Sequence, residues 1–175
     1  MSGILAAPFV ASAALLVAAG VPKLRDPLPL VRALRSAGLP AGPTLVRVIA
    51  GAETALGVWA VTAPGRLSAA LVCAAYLLFT AFVALTLKRG GVLGSCGCFG
   101  KPDTPPTRTH LSLTGLTALL AAAVSAEPST AAWTTSTSMA VGTLALAGLI
   151  AFLAWQALAV LPTTTPTAVR STGKG

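Results

Sequence analysis

Apolar residues run through this chain in five long blocks, each close to the roughly 17–25 residues that cross a bilayer as a helix. The blocks lie at about 4–21, 44–63, 67–87, 109–126 and 139–161, and most of the charge and proline falls between them. None alternates apolar and polar positions with a period of two, so half-buried strands are not predicted. Helices follow from the solvent. Inside lipid every backbone N–H and C=O must be satisfied by the chain itself, and a helix achieves this within one segment. The third block, LSAALVCAAYLLFTAFVALTL, carries no charged residue, whereas the fourth is shorter and dotted with Thr and Ser. Pro8 sits near the start of the first block, where a missing N–H costs little.

The stretch between the first two blocks has its own pattern. Leu28, Val31 and Leu34/Arg35 recur at helical spacing while Arg25, Arg32 and Arg35 supply charge. That pattern predicts a short helix lying in the headgroup plane; a solvated loop is the alternative. The first block lacks a basic leader, since Met1-Ser2-Gly3 is uncharged and Lys23 and Arg25 follow the apolar run. It therefore reads as a retained span and not as a cleaved signal. From Pro162 onward the chain is rich in Thr and Pro and reads as disordered. The expected organisation is a transmembrane domain over 1–161 and a flexible tail over 162–175.

Composition sharpens the class. The 175 residues are 55% hydrophobic and 9% charged, with mean hydropathy +0.84. A soluble domain carries about 25% charged residues, so the fold class is all-α, a polytopic membrane helical bundle. The net charge of +8 does not point to nucleic acid, because the bases lie in the loops, where they set topology and meet lipid headgroups. Lys23, Arg25, Arg32, Arg35, Lys88, Arg89, Lys101, Arg108, Arg170 and Lys174 share one side of a five-span arrangement, against Arg66 on the other. The positive-inside rule then places the N-terminus outside and the C-terminus in the cytoplasm. This arrangement sets Cys96 and Cys98 near the cytoplasmic face, whereas stable disulfides belong to oxidising compartments. An inverted arrangement, or a miscounted span at 109–126, would reverse the face.

Two features carry candidate chemistry. Cys96 and Cys98 stand one glycine apart beyond the polar end of the third block. A disulfide between them needs Cα atoms about 4.4–6.8 Å apart, which an extended tripeptide barely permits, and Gly97 supplies the freedom to bend. Strained disulfides exchange readily. Arg89 and Lys101 nearby favour the thiolate. Glu53 is the second feature, about nine residues or roughly 13 Å into its block. Ionisable groups at that depth are costly and are paired or functional. Arg47 is about 240° away around the helix and reads as snorkelling to the interface. A partner for Glu53 must come from another helix, with Lys23 and the loop arginines as candidates. Glu53 either handles a proton or ligand, or simply fixes helix packing.

The remaining residues read more plainly. Cys73 is a lone thiol, expected to act as a small apolar residue. His110, at the start of the fourth block, reads as an interfacial polar residue, and Trp59, Trp133 and Trp155 as interfacial or packing residues. No metal site is expected, since Asp103, His110 and Cys73 do not complete a recognisable zinc spacing with the cysteine pair. No cofactor is evident.

Three matches together give a resemblance. Lys23-Leu24-Arg25-Asp26-Pro27 closes the first block. Arg47, Gly51, Glu53 and Gly57 form R-x3-G-x-E-x3-G in the second. Arg89-Gly90 is followed by Cys96-Gly97-Cys98-Phe99-Gly100. Over about residues 10–125 the chain resembles the MauE family of methylamine-utilisation membrane proteins, within the DoxX-like four-helix group. The resemblance implies a four-helix core, to which a fifth C-terminal span is added. It also implies a role in maturation or export of an extracytoplasmic, disulfide-rich client such as the methylamine dehydrogenase small subunit, beside a thioredoxin-like partner of the MauD type. Cys96 and Cys98 would then be the exchanging pair, supported by Glu53, Arg47, Arg89, Lys23, Gly97 and Phe99. Two rival readings stay open: a non-enzymatic scaffold or chaperone-like subunit with the pair as a structural clip, and a quinone or small-molecule binder using Glu53.

Overall fold

A computed structural model of the protein describes residues 4–88, 107–127 and 137–160. Among these residues six helices follow one another: α1 (Ala6–Arg25), α2 (Leu28–Ser36), α3 (Pro43–Thr62), α4 (Arg66–Lys88), α5 (Arg108–Ala126) and α6 (Thr137–Trp155), the last continuing as a π-helical turn, Gln156–Val160. No strand occurs among the described residues. Five helices, all but α2, are long and apolar enough to span a membrane. The protein is an all-α, multi-pass membrane bundle.

The long helices alternate in direction. Gly20 of α1 lies against Ala50 and Thr54 of α3, and Gly57 of α3 against Ala13 and Val17 of α1, so these two run antiparallel. Arg66 at the start of α4 donates to the Ala126 carbonyl at the end of α5, which makes α4 and α5 an antiparallel pair. The end of α1, the start of α3, the end of α4 and the start of α5 consequently share one end of the bundle.

Helix α1 is the hub. Phe9, Ala13 and Leu16 pack with Ala60 of α3, Val72 and Tyr76 of α4, and Ala118 and Ala121 of α5. A second cluster joins its Ala7, Val10 and Ala11 to Ala147 of α6. Ala147 is the only buried residue of α6 between Thr137 and Trp155. That helix turns leucines outward on most sides, as a helix in lipid does, where exposed apolar surface costs nothing.

Two sequence expectations shift here. The first span was expected to stop near residue 21, but α1 continues through Pro22 to Arg25. A proline forfeits one backbone bond of its helix, and here the following turn still closes, with the Asp26 N–H donating to the Pro22 carbonyl at 2.9 Å. Lys23 is thereby inside the helix, not beyond it. The helix expected between the first two spans is present as α2, but with a different inner face. Pro29, Val31 and Ala33 are buried, while Leu28 is half exposed.

Helix α2 ends on Gly38, whose φ of 73° is left-handed. Leu39 donates to the Leu34 carbonyl and Gly38 to that of Arg35, each at 2.9 Å, the paired bonds of a Schellman cap. A side chain at this φ is strained. Gly38→Ala is therefore expected to lower stability by about 1–2 kcal/mol, read as an earlier thermal midpoint in detergent. An unchanged midpoint would mean that the cap does not constrain the folded state.

Candidate functional site

Glu53 lies one face inward on α3, in the row Val46, Ala50, Glu53, Gly57 and Ala60 that meets the bundle interior. Its partner is Lys23. The Lys23 Nζ donates to Glu53 Oε2 at 2.7 Å, with side chains 2% and 8% exposed. Of the cations the sequence left open, the one in the last turn of α1 is turned into the bundle instead of outward to the interface. The same ammonium stands 5.0 Å from the centroid of the Phe79 ring on α4, within cation–π range. Phe79 in turn meets Tyr76 edge-on, with ring centroids 5.7 Å apart. A charge pair out of water needs such additional contacts to offset desolvation.

Tyr76, the only tyrosine of the chain, donates its hydroxyl to the Ser12 carbonyl of α1 at 2.8 Å. Two polar ties therefore fasten α1, Lys23 to α3 and Tyr76 from α4. Sequence reasoning missed Tyr76. Its signal was a phenol in an otherwise apolar block, which requires an acceptor when buried.

His110 corrects an expectation. Read as an interfacial residue, it is 1% exposed and lies inside the bundle. Thr107 caps α5 by accepting the His110 backbone N–H at 3.3 Å, and its hydroxyl is 2.8 Å from the ring Nδ1. The cap thus fixes both the helix start and the ring. The other ring nitrogen, Nε2, is buried without a hydrogen-bond partner among the described residues. The legible trace was Thr107 three residues before His110, the spacing of an N-cap and its N3 residue.

Lys23, Tyr76, Phe79 and His110 line one cavity of about 60 Å³ between α1, α4, α5 and the end of α6. Arg47 is exposed on α3, as the 240° separation from Glu53 required. Cys73 is a free thiol, partly buried against the core. Trp59 and Trp155 are each more than a third exposed. Among the described residues no group of three His, Cys, Asp or Glu could hold a metal ion. Cys96, Gly97, Cys98, Phe99 and Arg89, with Lys101, Asp103 and Trp133, lie outside the described residues. The chain ends that anchor the cysteine segment, Lys88 of α4 and Arg108 of α5, are at the same end of the bundle as Lys23.

A family model described as methylamine utilisation protein MauE matches residues 1–127, a stretch that takes in α1 to α5 and the cysteine segment. No curated protein and no solved structure matches the chain.

Proposed function

The chain belongs to the MauE family, and from that premise we propose that it supports thiol–disulfide maturation or export of an extracytoplasmic client such as the methylamine dehydrogenase small subunit. Cys96 and Cys98 are the exchanging pair. One thiolate attacks a sulfur of the partner's disulfide, and the partner's other sulfur leaves as a thiolate. The second cysteine then resolves the mixed disulfide, so the partner gains two electrons and the chain closes its own Cys-Gly-Cys ring. Gly97 lets that ring close, Phe99 flanks it, and Arg89 and Lys101 favour the thiolate. A thioredoxin-like protein of the MauD type is the proposed exchange partner.

The observation that supports this reading is the extent of the family match, which covers the cysteine pair and the buried Lys23–Glu53 brace together. The brace holds α1 to the middle of α3, in the half of the bundle nearer the α4 end and α5 start between which the cysteine segment runs. In this reading Lys23 and Glu53 keep the platform rigid and the sulfurs perform the exchange.

The decisive variant is Cys98→Ser, which leaves Cys96 able to attack but removes the resolving thiol. It is expected to accumulate a mixed disulfide with the thioredoxin-like partner, seen as a band on non-reducing gels that dithiothreitol abolishes. If no adduct forms and the wild-type pair stays in one redox state while client matures, the pair is a clip and the exchange reading fails. By the positive-inside rule the N-terminus is expected outside and the C-terminus in the cytoplasm, which would put the pair on the face away from the client. An impermeant maleimide should then label reduced Cys96 only after permeabilisation. Labelling in intact cells would invert the bundle and put the pair directly before the exported client.

A further inference from the structure

We propose that the cavity lined by Lys23, Tyr76 and His110 binds an uncharged, membrane-dissolved amphiphile. Its carbonyl or hydroxyl head hydrogen-bonds to His110 Nε2, and its apolar tail lies in the groove between α1, α5 and α6. The inference does not depend on the cysteine pair.

The polar inventory of the cavity leaves one vacancy among the described residues. Tyr76 is committed to the Ser12 carbonyl at 2.8 Å, Thr114 to the His110 carbonyl at 2.8 Å and Thr117 to the Leu113 carbonyl at 2.7 Å. Lys23 and Glu53 neutralise each other at 2.7 Å. Only His110 Nε2 remains buried without a partner, and a buried polar nitrogen is costly to leave unmade. Its other nitrogen is held by Thr107, so the ring cannot swing away to find one.

Shape supplies the second half. The cavity of about 60 Å³ adjoins a groove of about 450 Å³ whose walls are almost wholly apolar. The two share Leu15, Leu113, Thr117 and Ala154, so they lie side by side with only these side chains between them. The groove is lined by outward-facing Leu116 and Leu119 of α5, the surface that meets lipid in a membrane-spanning bundle. A ligand entering there needs an apolar body. At its inner end it finds one hydrogen-bonding atom and no net charge, because the ammonium is already paired. A carboxylate or phosphate head would bring an uncompensated charge into this site, so the fitting head is neutral. Quinones and quinols, and fatty alcohols or acylglycerols, share that chemistry.

The test uses the full chain in phosphatidylcholine nanodiscs, labelled with a diazirine-bearing oleyl alcohol. Saturable labelling mapped to α1, α5 and α6 is expected, displaced by unlabelled oleyl alcohol. Displacement by a short-chain ubiquinone analogue as well would place quinones among the ligands, and its failure would restrict the site to aliphatic alcohols and acylglycerols. Oleate should displace at least about tenfold more weakly. His110→Leu should weaken binding about tenfold, the loss of one buried hydrogen bond, while His110→Gln, which keeps a donor and an acceptor, should retain most of it. Ala154→Phe plugs the junction without touching the polar residues and should abolish labelling of the inner cavity. A Cys96→Ser/Cys98→Ser double variant should bind as wild type, so failure of the exchange reading leaves this result standing. Absence of saturation, indifference to both His110→Leu and Ala154→Phe, or oleate competing as well as the alcohol would each overturn the proposal.

Discussion

Glu53→Ala is expected to destabilise the folded bundle by about 3–5 kcal/mol, because it strands the Lys23 ammonium in a site with no other anion among the described residues. Lys23 is 2% exposed and donates to Glu53 at 2.7 Å. The Phe79 face, 5.0 Å away, contributes about 1–2 kcal/mol at a desolvated site, too little to carry the charge alone. The double variant Lys23→Met/Glu53→Leu removes both charges and keeps comparable volume. It should recover most of the loss, since a buried ion pair replaced by packed apolar groups is often neutral. Unfolding by sodium dodecyl sulfate in mixed micelles measures both. If Glu53→Ala costs less than about 1 kcal/mol, Lys23 has swung out to the interface, as long cationic side chains near helix ends do, and the pair is not a brace.

Enlarging Gly57 should do comparable damage by a different route. A Cβ at this position would stand 2.6 Å from the Ala13 carbonyl and 2.7 Å from Val17 Cγ2, and the first of these is backbone that cannot step aside. Gly57→Leu is expected to cost about 3 kcal/mol, the upper end of overpacking, by forcing α1 and α3 apart. Gly51 offers the control within the same motif. Its Cβ would meet only Leu24 Cδ2, at 3.9 Å, so Gly51→Ala should be nearly silent or slightly stabilising through helix propensity. Equal losses at the two positions would contradict the contact geometry. Gly20, whose Cβ would collide with Thr54 Oγ1 and lie 2.8 Å from the Ala50 carbonyl, belongs with Gly57. Small residues at such crossings are what lets transmembrane backbones approach.

The spans were legible because composition alone decides them. The blocks at 44–63, 67–87 and 109–126 differ from α3, α4 and α5 by at most one residue at each end, within ordinary fraying. The first differs more, since a proline and a lysine in succession look like an exit from the membrane. They are not one here, because Lys23 has a partner. That Glu53 needed a cation from another helix followed from its depth, and Lys23 was among the candidates. Choosing it requires the register of α1 on α3, and Gly20 and Gly57 set that register through contacts no periodicity displays. His110 was misread for a related reason. Its burial is decided by α1, α4 and the end of α6 converging on the first turn of α5, which its neighbours in sequence do not report. Tyr76 carried a signal, a hydroxyl in an apolar run, but its acceptor lies 64 residues away on α1.

The pairing of an ammonium on α1 with a carboxylate on α3 has a consequence for biogenesis. A charged side chain costs up to about 2.5–3.5 kcal/mol in a helix delivered alone to the bilayer, the less the nearer it lies to a helix end, and α1 leaves the ribosome before α3 exists. The cheapest route holds the first segment at the translocon until the third helix arrives, so that the two enter lipid as one neutral hairpin with α2 remaining outside as their hinge.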